Sequence, residues 1–238
     1  KIVDAPKMDE NLRYGSDYSR SPMETFFHFE EGSFQQAVEM CSGVGQCRKT
    51  LVGSMCPSFM ATLDEQHSTR GRANALRAAL DGRLKDGLHG DDLHEVMDLC
   101  LECKACKAEC PSSVDMAKLK YEYLAQRHER EGVPLRSRIF ASIAVLNRWM
   151  APFSRLVNPV LRSRPNRWLM ERLFGIDRRR RMPALAHQRF SSWFARRTTP
   201  ETSTRGTVVF YHDTFTEFNE PDVGRAAVHL LESAGYRV

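Results

Sequence analysis

At 238 residues and 42% apolar, the chain is long enough for one or two packed domains and too apolar to be read as disordered. No run of ~18 uninterrupted apolar residues marks a membrane span. The net charge of +5 conceals an asymmetry: residues 136–197 hold fifteen arginines, no lysine and only Glu171 and Asp177 as acids, a segment of +13 that leaves −8 for the remainder.

Residues 1–33 carry few periodic apolar positions and are punctuated by Asp, Asn, Gly, Ser and Pro, which predicts an extended linker. Ser33 then reads as an N-cap, with Phe34, Ala37, Val38 and Cys41 on one helical face. The glycine-bearing turn Ser42-Gly43-Val44-Gly45 leads to Cys47, and Cys56-Pro57 follows. A helix is expected over about 72–84, with Ala73, Leu76, Ala79 and Leu80 as its apolar face. Asp91 or Asp92 is expected to cap the next helix, which runs through Leu93, Val96, Met97 and Leu99 into Cys100. Asp115 caps a helix from 116 to about 131, stopped by Gly132 and Pro134. Residues 135–198 have helical spacing and large apolar residues, with Pro159 and Pro165 expected to separate the helices. After a polar linker over 198–205, residues 207–211 read as a buried strand, residues 222–234 as a helix, and Tyr236-Arg237-Val238 as the start of a second strand, one βαβ unit. Lys1 is not a methionine and Val238 falls where a strand should begin, so the chain reads as an internal piece of a longer polypeptide.

The chemistry is concentrated in the cysteines. Cys100-x2-Cys103-x2-Cys106-x3-Cys110-Pro111 places four thiols in eleven residues. Three at this spacing can hold three corners of an iron–sulfur cubane, and the one ahead of proline commonly serves a second cluster. A second group is therefore expected, and Cys41, Cys47 and Cys56-Pro57 supply it, using all seven cysteines. Zinc prefers four ligands in two separated pairs. Disulfides suit small secreted domains, and nothing here resembles a signal peptide. Crossed ligation gives one cluster Cys100, Cys103, Cys106 and Cys56, a full set for [4Fe–4S]. The other takes Cys41, Cys47 and Cys110. Val44 stands where a second cysteine of that run would be, so this centre is expected to be [3Fe–4S], or [4Fe–4S] with a non-cysteine ligand. His67 is the best outside candidate for that ligand, against the blander role of a hydrogen-bonding histidine at a helix start. Arg70 and Arg72, flanking Gly71, are expected beside the clusters, where cations favour the reduced form.

These stretches resemble a known family. Cys41-Ser42-Gly43-Val44-Gly45-Gln46-Cys47-Arg48, Met55-Cys56-Pro57-Ser58, Asp64-Glu65-Gln66-His67-Ser68-Thr69-Arg70-Gly71-Arg72-Ala73-Asn74 and the second cysteine run with Val114-Asp115-Met116 are similar to the iron–sulfur half of bacterial FAD-linked oxidases, relatives of D-lactate and D-2-hydroxyglutarate dehydrogenases. That half is in turn similar to the ferredoxin-like subunits of glycolate oxidase, anaerobic glycerol-3-phosphate dehydrogenase and heterodisulfide reductase. The resemblance covers about residues 34–131. The order of helices and cysteine runs predicts a mainly α protein, with a helical dicluster ferredoxin domain (34–134) and an Arg-rich helical segment and linker (135–204); the resemblance adds a linker from an upstream flavin oxidase domain (1–33) and the truncated start of a cysteine-rich-repeat, heterodisulfide-reductase-type α/β domain (205–238). The resemblance also implies FAD in the upstream domain of the same polypeptide, and electrons passed from it through the clusters to a quinone or electron carrier. Neither a flavin site nor a substrate site lies in this chain. The expected location is cytoplasmic, with a peripheral position at the inner face of the membrane as the finer reading.

The Arg-rich segment leaves three readings open: helices packed on the cluster domain with solvated arginines, an anionic membrane surface, and nucleic acid, the last disfavoured because aromatics do not interleave the basic run. The rival to electron transfer is a cluster used structurally in a nucleic-acid-binding or interaction module. A staple needs only one cluster, whereas two suit electron hopping.

Overall fold

Ser33 opens the first helix as expected: its side chain accepts the Gln36 N–H, and Phe34, Ala37 and Val38 turn inward. The computed structural model describes the whole chain except residues 1, 2, 4–6, 9, 11–17, 19, 21 and 199–203. The described residues are mainly helical and fall into two compact units, Lys1–Gly132 and Val133–Val238.

The first unit contains α1 (Phe34–Glu39), α2 (Pro57–Thr62), α3 (Thr69–Leu80), α4 (Asp91–Asp98), α5 (Ala105–Glu109) and α6 (Met116–Glu131). Helix α6 has the expected bounds. Asp115 accepts the Lys118 N–H at its start, and Gly132, at φ +81°, ends it. Helix α3 begins three residues earlier than expected, because Ser68 caps it by accepting the Gly71 N–H. Asp91 and Asp92 lie in the first turn of α4 rather than at its cap, where their charge still opposes the positive end of the helix dipole. One core joins α1, α3, α4 and α6 through Phe34, Val38, Leu76, Leu93, Met97, Leu119 and Tyr123. Each such side chain contributes about 1.5–3 kcal/mol by leaving water.

Part of the expected linker is also packed. Phe29 is buried against Phe34, with ring centroids 5.6 Å apart. The Phe26 and Phe27 N–H groups donate to the buried Glu122 carboxylate at 3.2 and 3.0 Å. The opening residues 1, 2 and 4–6 lie outside the described residues.

The second unit contains α7 (Leu135–Ala141), α8 (Ile143–Met150), α9 (Ser154–Arg162), α10 (Arg164–Phe174), α11 (Phe190–Phe194), α12 (Thr214–Phe218) and α13 (Pro221–Ser233). Thus the Arg-rich segment and the residues after 205 share one compact unit. Pro165 opens α10 as expected, but Pro159 lies inside α9 instead of ending it. The helix forfeits one N–H bond there. Asn158 pins the same turn by bonding both the N–H and the carbonyl of Leu185, at 2.8 and 2.9 Å. The expected strand over 207–211 is not buried: Val209 and Tyr211 are more than nine-tenths exposed. Thr207 and Arg237 form a single parallel bridge, and α12 and α13 lie between them. A parallel strand needs a neighbour along its length, and among the described residues only 206–208 find one. The 198–205 linker falls largely outside the described residues.

Candidate iron–sulfur centres

Two cavities gather the cysteines. One is lined by Cys56, Cys100, Cys103 and Cys106, with Arg72 and the start of α6. The other is lined by Cys41, Cys47 and Cys110, with Gly43, Val44, Gly45 and Arg70. Cys56 and Cys110, each followed by proline, thus leave their own sequence neighbours and join the opposite group. Met55 and Thr69 line both cavities and form a shared wall. Among the described residues, no three His, Cys, Asp or Glu side chains converge as they would on a single metal ion. Each group of cysteines lines one cavity, a soft sulfur donor set of the kind that iron–sulfur cores take.

The two runs follow the same backbone path. Gly43 and Gly45 have φ +82° and +79°; Glu102 and Lys104, at the matching positions, have φ +56° and +61°. Non-glycine residues rarely adopt this region, so its recurrence at two alternate positions is a repeated device. The alignment sets Cys41 on Cys100, Val44 on Cys103 and Cys47 on Cys106. Val44 is 66% exposed on its cavity rim, and Cys103 is likewise exposed.

A helix further along the chain from each run starts beside one of its thiols. The Arg70 N–H, in the first turn of α3, donates to Cys47 Sγ at 3.4 Å. Met116 and Ala117, at the start of α6, line the same cavity as Cys106, and their amides act to lower its thiol against the larger effect of burial. Such ends favour negative charge. The helix before each run is held by a buried cation. Arg77 donates to the carbonyls of Val38, Glu39 and Cys41 at 3.2, 2.9 and 2.6 Å. Lys120 donates to those of Asp98 and Cys100 at 3.2 and 2.8 Å and pairs with Glu102 at 3.1 Å. Each neutralises the negative end of α1 or α4 and fixes the first cysteine of its run.

Arg72 is fully buried and has no carboxylate partner among the described residues. Its guanidinium donates to the Val96 carbonyl at 3.0 Å, the His67 carbonyl at 2.6 Å, Ser58 Oγ at 3.0 Å and Cys56 Sγ at 3.5 Å. A buried, uncompensated cation is costly unless an anion sits beside it. Thiolate-bound iron–sulfur cores are anionic, so this donor set fits one. The other cavity differs: its Arg70 is already paired with Glu65 at 2.7 Å, and Arg48 holds the same carboxylate at 2.8 Å. Gly71, between the two arginines, is required by close packing, because a Cβ there would collide with the Glu65 carbonyl.

Burial pushes the Cys106 thiol up to about 11 and raises Cys47 and Cys100 as well. Burial also acts on Cys56, but the Ser58 hydroxyl and the Arg72 charge outweigh it and lower that thiol. Metal loading must therefore displace protons from most of these sites. His67 is brought to neither cavity. Its ring Nδ1 is 2.9 Å from Thr62 Oγ1, and its carbonyl serves Arg72 and Ser58. The fixing cations Arg77 and Lys120 were not anticipated from sequence.

Residues 40–115 match the 4Fe–4S dicluster domain family. The chain is 26% identical to D-2-hydroxyglutarate dehydrogenase of Pseudomonas putida, over 86% of this chain and 24% of that protein. It is 27% identical to one subunit of the anaerobic glycerol-3-phosphate dehydrogenase of Escherichia coli, over 64% of this chain and 38% of that one. It is 31% identical to a Bacillus subtilis protein named probable glycolate oxidase iron-sulfur subunit, over 37% and 20%. The chain spans about a quarter of the length of the D-2-hydroxyglutarate dehydrogenases it matches. No solved structure matches it. Two cysteine-lined cavities behind one shared wall, in a segment with these relatives, identify the chain as carrying a 4Fe–4S dicluster domain homologous to D-2-hydroxyglutarate dehydrogenase, to a subunit of anaerobic glycerol-3-phosphate dehydrogenase and to the glycolate oxidase iron–sulfur subunit.

Proposed function

We propose that this chain is the electron-transfer segment of a flavin-dependent 2-hydroxy-acid dehydrogenase. Iron–sulfur clusters take up and release electrons singly, which suits a donor that gathers them in pairs at a flavin. Cys56, Cys100, Cys103 and Cys106 would hold a [4Fe–4S] centre. Cys41, Cys47 and Cys110 would hold a [3Fe–4S] or [4Fe–4S] centre. The observation that carries this reading is the pair of cysteine-lined cavities that share Met55 and Thr69 in their walls. The residues around them supply amide dipoles and place Arg72 beside Cys56. FAD would belong to a flavin oxidase domain of the same polypeptide, and the acceptor would be a quinone or an electron carrier. No helix among the described residues is long and apolar enough to cross a membrane. Contact with a quinone pool would be at the inner membrane face. A structural cluster in a nucleic-acid-binding module is not favoured, because the relatives are named as oxidoreductases.

The test has two stages. The chain, loaded with iron and sulfide, should show two cluster signals by electron paramagnetic resonance on stepwise reduction. The longer polypeptide should then show both centres reduced by a D-2-hydroxy acid without added dithionite. A single centre, or two that no 2-hydroxy acid reduces, would reject the assignment.

A further inference from the structure

The second unit carries an acceptor-poor cavity unrelated to the cysteines. It lies where α9 gives way to α10 and has a volume of about 470 Å³. Its lining is Leu161, Arg162, Arg167, Arg181 and Met182, with three guanidinium groups and no carboxylate among the described residues. The two acids of the arginine segment are engaged elsewhere: Glu171 with Arg178 at 3.6 Å, and Asp177 with Arg179 at 2.6 Å. Arg167 is oriented by one bond, from Nη1 to the Arg178 carbonyl at 3.2 Å. Its Nε is buried with no hydrogen-bond partner among the described residues, and so is the side-chain amide nitrogen of the preceding Asn166. Three cations around one space repel one another. That repulsion is relieved by one ligand, a compact anion with several acceptor oxygens.

We propose that this cavity is a binding site for a phosphate group. Guanidinium groups match phosphate with paired, charge-assisted hydrogen bonds. A tetrahedral oxyanion can serve Arg162, Arg167 and Arg181 at once, which a planar carboxylate with two oxygens does less well. The phosphate could be free, or it could be the headgroup of an anionic lipid. Helix α10 exposes Trp168, Leu169 and Leu173 beyond Arg167, an apolar set that acyl chains would cover. The site is independent of the cluster assignment.

The test uses the full chain in phosphate-free buffer at low salt. Inorganic phosphate is titrated by calorimetry, and binding to phosphatidylcholine vesicles with and without phosphatidic acid is measured by co-sedimentation. One phosphate per chain is expected. Arg167→Gln should weaken it at least tenfold. Arg167→Lys, which keeps the charge but lacks Nε, should recover only part of that loss. Arg138→Gln, outside the cavity, should change nothing; circular dichroism checks that each variant folds. If free phosphate displaces the chain from phosphatidic acid vesicles, the headgroup is the ligand. If phosphate binds and vesicles do not, a soluble phosphate compound is. No phosphate binding at low salt, or equal weakening by Arg138→Gln and Arg167→Gln, overturns the proposal.

Discussion

Replacing Arg72 by methionine tests whether the cavity beside it holds an anion. Methionine keeps the length of the aliphatic stem and deletes the charge. Three oxygen acceptors lose a donor: the carbonyls of Val96 and His67, and Ser58 Oγ. The His67 carbonyl retains the Ser58 hydroxyl, at 3.0 Å. The Val96 carbonyl lies in the last turn of α4, where helices leave carbonyls unpaired. Each bond from a charged donor is worth about 1.5–3 kcal/mol, but the desolvation of a buried guanidinium cancels much of the sum. Breaking a buried charge pair costs about 3–5 kcal/mol. The cluster-loaded chain should lose that amount. The metal-free chain, where the cation has no full counter-charge, should lose about 1 kcal/mol or less, since removing the cation also removes its burial penalty. Urea unfolding of both forms, followed by far-ultraviolet dichroism, measures the difference. With a slope of about 2 kcal/mol per molar, the loaded midpoint should fall by roughly 2 M and the metal-free midpoint by less than about 0.5 M. Equal losses in the two forms would show that Arg72 is only a hydrogen-bonding brace, and the counter-charge argument would fail.

Three further outcomes follow from the geometry. Cys56→Ser should disturb the centre bound by 100–106, and Cys110→Ser the centre bound by Cys41 and Cys47; resonance spectra reversed from this would reject crossed ligation. Val44→Cys should convert a three-iron signal in the oxidised chain to that of a four-iron centre, while His67→Ala leaves the wild-type spectrum unchanged; two intact cubanes in the wild type, with a three-iron signal appearing on His67→Ala, would make His67 the missing ligand. Arg77→Met and Lys120→Met should each destabilise by about 2–4 kcal/mol, because buried carbonyls at a helix end lose a charged donor. Each should also loosen only its own run, as read by hydrogen exchange at Cys41 or Cys100, and uniform loosening would count against separate anchoring.

Cysteine spacing is legible because it obeys a chemical rule that tertiary context cannot change. Helix ends with polar caps, at Ser33 and Asp115, are legible for a similar reason: the cap bonds its own helix. The anchoring cations were not legible, because an arginine in a sequence is expected at the surface. A signal did exist. Arg72 and Arg77 recur at helical spacing within the apolar stripe of Ala73, Leu76 and Ala79, and an arginine in such a stripe must find acceptors inside. Glu122 stands among the buried side chains of α6 in the same way. The run at 207–211 misled because β-branched and aromatic residues mark strands only when a partner strand covers them. Pro159 misled because its cost is offset by Asn158, whose contact with Leu185 spans 27 positions in the sequence.

The common path of the two cysteine runs bears on how the centres differ. Both have a helix whose end is neutralised by a buried cation, alternate left-handed residues through the turn, and a later helix that starts beside the third position. A difference in chemistry must then come from the few places where the halves diverge. One is Val44 against Cys103, which removes a thiolate from one rim. Another is the counter-charge: Arg72 is unneutralised beside Cys56, whereas Arg70 beside Cys47 is tied to Glu65. On the proposed ligation, the first change would make one centre less anionic, and the second would stabilise added electrons at the other. Each raises the potential of its own centre, so they oppose each other in setting the gap between the two. Arg72→Met and Val44→Cys should therefore move that gap in opposite directions, each by lowering the potential of the centre it touches, and a double variant should lower both. Redox titration of the two resonance signals separates the shifts. A shift spread over both centres would mean that the shared wall of Met55 and Thr69 does not insulate one site from the other, and a shift confined to the opposite centre would reject the assignment of Arg72 and Val44 to their centres.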